Sequence, residues 1–245
     1  AMEIIQELPL VDYILGPIGG GGLATGVSTL ASLLNPHIKV IGGEPAGSAC
    51  MKASLEKGEV VTLPHVNTIA DGTAVQTPGS HIFPYIQENL DEIITVEDDE
   101  LIVAFLDMVE NHKMIVENSG LLTVAALRHL DFKNKKVVSI LSGGNMDVIT
   151  MSSVVQHGLI QRDRIFTVSV LIPDKPGELV RVASIIAENQ GNVIKLDHNQ
   201  FVSTNRNAAV ELKITLEAFG TDHKNQIVKA LETAGCRPKV IRASL

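Results

Sequence analysis

Four consecutive glycines, residues 19–22, stand between an apolar run at residues 13–18 and a segment of small and apolar residues that begins at Leu23. A strand that leads through glycines into a helix turns several backbone N–H groups toward one point, where the helix dipole also favours negative charge. Glycine suits such a loop because a Cβ would obstruct unusual φ angles or the close approach of a phosphate. The sequence therefore predicts an anion cradle, since four glycines exceed what a plain turn needs.

Two kinds of phosphate compound fit this loop. Gly19, Gly21 and Ala24 satisfy the pattern G-x-G-x-x-A, and Glu44 ends the next predicted strand about 20 residues on, where a dinucleotide-binding fold places its ribose-binding acid. The remaining glycines and a second glycine loop, SGGN at residues 142–145, have no role in that scheme. A dinucleotide-binding oxidoreductase stays open as an alternative at this point.

The elements around these loops alternate between strand-like and helical patterns. Strands are predicted at residues 11–18, 38–44, 91–96 and 135–141, the last of them buried. Helices are predicted at residues 23–34, 48–57 and 119–129, and another begins after Thr95 with the acidic run at residues 97–100 in its first turn. This alternation is typical of a parallel α/β layer.

The last third of the chain has a different order. A polar segment at residues 157–164 marks the predicted boundary, which gives domains at residues 1–160 and 161–245. Strands are predicted at residues 166–172, 193–200, 208–217 and 238–243, with helices after the first and the third. That βαββαβ order predicts a ferredoxin-like fold.

Charge, apolar runs and cysteine spacing exclude some classes of function. Residues 1–150 carry a net charge of −11 and residues 151–245 one of +3, without a basic cluster, which argues against nucleic-acid binding. The chain has no apolar run long enough for a membrane span. Its two cysteines, Cys50 and Cys236, have no disulfide-like spacing, so a cytoplasmic protein that binds small molecules is expected.

Five segments in order give the chain a family resemblance: GPIGGGGLATG, VIGGEPAGSACMKASLEKG, TIADGTAV, IVENSGLLTVAAL and VVSILSGGNMD. Together they resemble the C-terminal part of the catalytic domain of threonine dehydratase (threonine ammonia-lyase), a fold-type II pyridoxal-phosphate enzyme family close to serine dehydratase and serine racemase. The tail at residues 165–245 resembles an ACT domain, an amino-acid-sensing module.

The resemblance implies an α/β fold: part of a parallel-sheet fold-type II catalytic domain, followed by a ferredoxin-like βαββαβ ACT domain. It implies pyridoxal 5′-phosphate as cofactor and the conversion of L-threonine to 2-oxobutanoate and ammonia, with serine as a weaker substrate. In the family the cofactor phosphate is held by backbone amides, which here are those of Gly19, Gly20, Gly21, Gly22 and Leu23.

Three further site residues follow from the resemblance. Ser142 matches the serine that bonds the pyridine nitrogen, and Gly72 matches a position whose backbone lines the cofactor ring. Glu117 matches an acidic residue near the active site, although the two residues after it depart from the family's usual small or proline residues. A serine hydroxyl, unlike a carboxylate, leaves the ring nitrogen largely unprotonated.

No metal site is expected. Racemase-like relatives bind a divalent cation through the glutamate that Glu44 matches, but Cys50 stands where their aspartate would be. The family's Schiff-base lysine lies in a Ser-x-Lys-x-Arg-Gly type motif, and none of the 13 lysines here has that context. The chain is therefore expected to be an N-terminally truncated portion, without its catalytic lysine and inactive alone.

The ACT-like tail implies a small-molecule effector site. The matching positions are Gly177, Glu178 and Leu179 after the first strand, and Asn192 at the start of the second. Such sites are usually shared between two copies of the module, so a homo-oligomer is expected. An amino-acid-sensing fragment without catalysis is the alternative function for the chain in isolation.

Overall fold

The computed structural model describes residues 1–199 and 210–241 of the chain. The chain divides into two compact units, Ala1–Val155 and Gln156–Leu245. The ends of three predicted strands, at residue 200, residues 208–209 and residues 242–243, lie outside the described residues.

The first unit alternates helices and strands as the sequence predicted. In chain order the elements are α1 (Met2–Glu7), β1 (Tyr13–Pro17), α2 (Gly22–Leu34), β2 (Lys39–Pro45), α3 (Cys50–Lys57), α4 (Phe83–Asn89), β3 (Glu92–Val96), α5 (Asp98–Asp107), α6 (Asn118–Ala126), β4 (Val137–Ser139) and α7 (Val148–Gln161). Met151 and Val154 of the last helix pack in the core of the first unit, and its residues from Gln156 onward belong to the second unit.

The four strands form one parallel sheet in the order β3-β2-β1-β4. The central strand β1 is fully buried at Ile14 and Leu15. Helix α6 packs directly against β2, where a Cβ on Gly43 would lie 3.1 Å from the Leu122 carbonyl oxygen. The predicted parallel α/β layer is therefore confirmed, and the loops after β1, β2 and β4 leave the sheet at the same edge.

Two local predictions need correction. The strand predicted as buried at residues 135–141 is only β4, and its three side chains are half-buried because among the described residues it pairs with β1 alone. Thr95 lies inside β3, and helix α5 begins at Asp98 with Glu97 as its N-cap. There Glu97 and Glu100 form a capping box, in which the Glu97 amide donates to the Glu100 carboxylate (2.9 Å).

The second unit has the predicted ferredoxin-like order. Its elements are β5 (Ile165–Ile172), α8 (Glu178–Glu188), β6 (Asn192–Asn199), β7 (Val210–Glu217), α9 (Thr221–Thr233) and β8 (Pro238–Ile241). The strands pair antiparallel in the order β6-β7-β5-β8. Alternate residues of β5 and β7 pack with Val182 and Ile186 of α8 and with Ile227 and Leu231 of α9 to form one core.

No helix among the described residues is both long enough and apolar enough to cross a membrane.

A pair of glycine substitutions tests the packing of the first unit. A Cβ on Gly47 would overlap the backbone carbonyl oxygen of Asn67, so Gly47→Ala should lower the free energy of unfolding by about 1–3 kcal/mol. Gly26, inside α2, has no atom within 4 Å of an added Cβ, so Gly26→Ala should raise it by about 0.5–1 kcal/mol. Urea denaturation measures both, and equal shifts of the same sign would contradict the packing described here.

Candidate functional site

Four segments meet at the carboxyl edge of the parallel sheet. They are the loop after β1, the 3-10 turn Asp71–Thr73, the start of α6 and the loop after β4. The segments touch where glycines allow close approach. A Cβ on Gly19 would lie 2.9 Å from the Thr73 Cα, and one on Gly72 would lie 2.9 Å from the Ser119 Oγ. The structure thus brings together the segments that hold the predicted cofactor-binding residues.

The loop after β1 offers a row of free backbone donors. Ile18, the last buried residue before the loop, donates its amide to the Gly43 carbonyl (2.8 Å). Gly21 has φ +99° and is the N-cap of α2. Among the described residues, the amides of Gly19 through Ala24 donate to no other group. Because a helix N-terminus leaves its first amides without internal partners, this stretch fits a bound anion.

Side chains from two other helices set the shape of this loop. A Cβ on Gly21 would lie 2.6 Å from the Met51 Cε and less than 3 Å from the terminal carbons of Ile82 and Ile86. An L-residue here would also be strained by the positive φ. Gly21 is therefore required by both backbone conformation and packing, whereas Gly20, Gly22 and Leu23 lie exposed.

The loop after β4 lies against Glu117. The Glu117 amide donates to the Gly143 carbonyl (3.3 Å), and Gly143 has φ +95°. A Cβ on Gly143 would overlap the Glu117 carboxylate. The half-buried Ser142 hydroxyl has no hydrogen-bond partner among the described residues, so it is available to a ligand.

Gly72 lies between these loops in the turn Asp71–Thr73. An added Cβ would lie 3.4 Å from the Glu117 Oε1. A cavity of about 110 Å³ opens beside it; its lining includes Asp71, Gly72, Glu117, Asn118, Ser119 and Asp147. Gly72 and Glu117, predicted separately from two motifs, therefore line one cavity.

Sequence reasoning missed three groups that hold these loops. Asn118 and Ser119 were treated only as departures from a family pattern, and the acidic run only as a helix start. Asn118 Nδ2 donates to the Ile69 carbonyl (2.9 Å), and the Ser119 Oγ accepts from the Thr73 hydroxyl (3.4 Å). Asp98 accepts bonds from Thr68 and Ile69. Their partners lie 29 or more residues away, so no local sequence pattern marks them.

Glu44 bonds to the start of helix α3, which argues against both roles considered from the sequence, a ribose-binding acid and a cation ligand. It is fully buried, and its two oxygens accept the amides of Met51 (2.8 Å) and Lys52 (3.0 Å) at the start of α3. Burial raises the pKa of Glu44 to about 7. The carboxylate therefore holds a helix N-terminus and does not face a ribose or a cation.

Cys50 completes this buried group. Burial and the neighbouring Glu44 charge raise the pKa of the Cys50 thiol to about 11. A buried, protonated thiol therefore stands where the racemase-like relatives are expected to carry a cation-binding aspartate. Glu44 is therefore not available as a ribose-binding acid, which weakens the interpretation of the first loop as a dinucleotide site.

The predicted effector residues occupy two ends of the second sheet. Gly177, with φ +95°, is the N-cap of α8, and Glu178 pairs with Arg181 (2.8 Å). Asn192 pairs with Glu217 of β7, and Glu217 also pairs with Ile165 at the start of β5. Gly177, in contrast, follows the other end of β5. The eight residues of β5 separate the two ends by roughly 23 Å. One copy of the unit therefore does not bring Asn192 to Gly177, Glu178 and Leu179.

The fold and the site define the class of the chain: a parallel α/β domain whose glycine-rich loops present free backbone amides at the carboxyl edge of its sheet. A family model described as pyridoxal-phosphate dependent enzyme matches residues 1–143. The chain belongs to this family, and pyridoxal 5′-phosphate is the cofactor that the family implies. The prediction from the sequence motifs is confirmed, and the dinucleotide alternative is set aside.

Individual relatives cover more of the chain. An L-threonine ammonia-lyase of Geobacter sulfurreducens is 38% identical over 243 residues, which are 98% of this chain and 60% of that protein. Among solved structures, threonine deaminase isoform 2 of Solanum lycopersicum matches with a TM-score of 0.59 and 35% identity over 63% of this chain and 46% of that one. A serine racemase of Dictyostelium discoideum matches with a TM-score of 0.55 and 41% identity over 60% and 48%. The chain thus spans about 60% of the curated relative and about half of these solved chains.

Glu44 gives the chain a specific pH dependence. Its folded-state pKa of about 7 lies above its ordinary 4.5, so the folded chain binds the proton more tightly than the unfolded chain. The free energy of unfolding should fall by about 3 kcal/mol as the pH rises from 4.5 to 7. This component should be absent in Glu44→Gln.

Urea denaturation across this pH range measures the effect. Glu56→Gln is the matched control, because Glu56 is exposed on the same helix α3. It should keep the pH dependence of the unsubstituted chain. Equal pH dependences in Glu44→Gln and Glu56→Gln would show that Glu44 does not titrate in this window.

Proposed function

We propose that the first unit binds pyridoxal 5′-phosphate at the carboxyl edge of its sheet. The observation that carries the proposal is the row of amides from Gly19 to Ala24, which have no partner among the described residues. The amides of Gly19 to Leu23 would hold the phosphate, as the family resemblance implies. Gly72 would offer its exposed backbone to the ring.

Ser142 is proposed as the partner of the pyridine nitrogen. Its hydroxyl is unpartnered among the described residues and follows β4 at the same edge as the glycine loop. A hydroxyl can donate to a neutral ring nitrogen and does not stabilise a protonated one as a carboxylate would. When bound, pyridoxal phosphate supplies an electron sink for the bonds broken at the amino-acid Cα.

Glu117 is proposed as the acid of the site. Its carboxylate lies against Gly143, and its Oε1 would be 3.4 Å from a Cβ added to Gly72. The Gly143 carbonyl that accepts the Glu117 amide fixes its backbone. In this position Glu117 can hold a proton at the mouth of the cavity, next to the ring-facing loop.

We propose that the whole protein to which this chain belongs deaminates L-threonine to 2-oxobutanoate and ammonia, and L-serine more slowly. The names of similar proteins support threonine as the first substrate. A fungal L-serine ammonia-lyase among the structural neighbours, 25% identical with a TM-score of 0.58, supports serine as the second. Release of 2-oxobutanoate from threonine and pyruvate from serine by the whole protein tests this. A higher kcat/KM for serine would overturn the proposed preference.

We propose that the second unit is an ACT module that senses a small amino acid as part of a homo-oligomer. Because Asn192 and the segment from Gly177 to Leu179 lie at opposite ends of one sheet, a site that contains both needs two copies of the unit. A cytoplasmic location is also proposed, supported by two buried cysteines that are both free thiols.

A proline substitution tests the phosphate cradle. Leu23→Pro removes one amide in the first turn of α2, where proline is tolerated, and Leu23→Ala removes the same side chain but keeps the amide. The probe is 4-deoxypyridoxine 5′-phosphate, which lacks the aldehyde and so cannot react with lysines. Leu23→Pro should weaken binding by about 10- to 100-fold, since a hydrogen bond to a charged group contributes about 1.5–3 kcal/mol.

The affinity is measured by ³¹P NMR titration of the chain, and Leu23→Ala should bind within about twofold of the unsubstituted chain. Equal affinities of the two variants would mean that the phosphate does not use this amide. No binding to the unsubstituted chain would remove the cofactor proposal for this site.

Calorimetry and sedimentation test the sensing unit. Binding heat is expected with one of isoleucine, valine, threonine or serine, and sedimentation should show an oligomer. Asn192→Ala should reduce the heat because it removes a polar group of the shared site, whereas Asn225→Ala, on the helix α9, should not. A monomer without binding heat would contradict the proposal.

A further inference from the structure

The four acidic residues at the start of α5, residues 97–100, have different partners and exposures. Glu97 and Glu100 cap the helix, and Asp99 is exposed at the surface. Asp98 turns to a different segment: its Oδ1 accepts the Thr68 hydroxyl (2.6 Å) and its Oδ2 accepts the Ile69 amide (3.1 Å). One carboxylate therefore holds two consecutive residues of the loop that leads to Gly72.

Further hydrogen bonds continue from this carboxylate toward Gly72. The Thr68 Oγ1 accepts the Ala70 amide (3.2 Å), and the Ala70 carbonyl accepts the Thr73 hydroxyl (3.0 Å). Asn118, on α6, donates to the carbonyl between them, that of Ile69 (2.9 Å). Each residue from Thr68 to Ala70 is therefore fixed by at least one side chain, and the turn that contains Gly72 follows directly.

The other end of the turn is held by Ser48. Its hydroxyl donates toward the carbonyls of Thr73 (3.4 Å) and Val75 (2.9 Å), and its Oγ accepts the Val75 amide (3.0 Å). Ser48 is buried and lies just before α3. The turn thus spans two anchors, and only the Asp98 anchor has a charge. Hydrogen bonds to an ionised acceptor are roughly twice as strong as neutral ones.

We propose that Asp98 is a positioning residue that sets the place of Gly72 and thereby the affinity of the site for the ring of its phosphate-bearing ligand. The proposal rests on the proposed cofactor site. It separates two parts of that site: the amides from Gly19 to Leu23 would take the phosphate, and the loop held by Asp98 would take the ring. An aspartate is needed because its two oxygens accept two donors, whereas asparagine has one acceptor oxygen.

Two ligands separate the phosphate from the ring. The unsubstituted chain, Asp98→Asn and Asp99→Asn are each titrated with 4-deoxypyridoxine 5′-phosphate and with inorganic phosphate by ³¹P NMR. Asp99→Asn is the matched control, because it removes the same charge from the same helix turn at an exposed position. Asp98→Asn should bind the ring-bearing ligand about tenfold more weakly and inorganic phosphate within about twofold, and Asp99→Asn should change neither.

Thr68→Val and hydrogen exchange extend the test to the loop itself. Thr68→Val should weaken binding of the ring-bearing ligand in the same way, and its combination with Asp98→Asn should be no weaker than the stronger single effect, because both act through one hydrogen-bonded group. The Ile69 amide should exchange faster in Asp98→Asn than in Asp99→Asn.

Three results would overturn the proposal. Equal losses for both ligands in Asp98→Asn would mean that the substitution disturbs the site as a whole. Faster exchange at Ile69 with unchanged affinity for the ring-bearing ligand would mean that the loop does not contact the ring. Absence of binding in the unsubstituted chain would remove the cofactor site itself, and this result is distinguishable because it does not depend on the substitution.

Discussion

Six consecutive backbone amides at the start of α2 have no hydrogen-bond partner among the described residues, and this deficit is the constraint on which the site depends. An N–H group without a hydrogen-bond partner costs free energy of folding. A protein therefore keeps such groups only where a ligand or solvent accepts their hydrogen bonds. The central strand β1 delivers them to the edge of the sheet, and Gly21 lets the chain enter the helix with a positive φ. An anion at this point satisfies donors that the fold leaves open.

Two helix N-termini of the same unit differ in what accepts their first amides. The first amides of α3 donate to the buried carboxyl group of Glu44, so the chain supplies its own acceptor there. The structure shows no such side chain at the first amides of α2 within the described part of the chain, and the loop before them consists of glycines, which have no side chain. The same physical property, an electropositive helix end, thus serves internal stability at α3 and remains open to a ligand at α2.

The loops of the site are held by contacts between backbone atoms and small side chains. Gly19 touches Thr73, Gly72 touches Ser119, and Gly143 touches Glu117. A side chain at any of these glycines would push the two contacting segments apart. The position of each loop therefore depends on the position of the segment that it contacts. Asp98 and Ser48 anchor the middle loop from two different elements, which ties the site to the positions of α5 and of the segment before α3.

The sequence by itself determined the local elements and the chemistry of each loop. Glycine runs, helix periodicity and the βαββαβ order act over a few residues, so the cradle, the α/β layer and the ferredoxin-like unit were predicted from them. The tertiary structure decided the role of each carboxylate: Glu44 holds α3, Asp98 holds the loop before Gly72, and Glu117 lies against Gly143. It also decided that Asn192 lies a strand length from Gly177. These outcomes depend on partners brought together by packing across 7 to 49 residues of chain, and side-chain charge alone does not specify which partner a carboxylate meets.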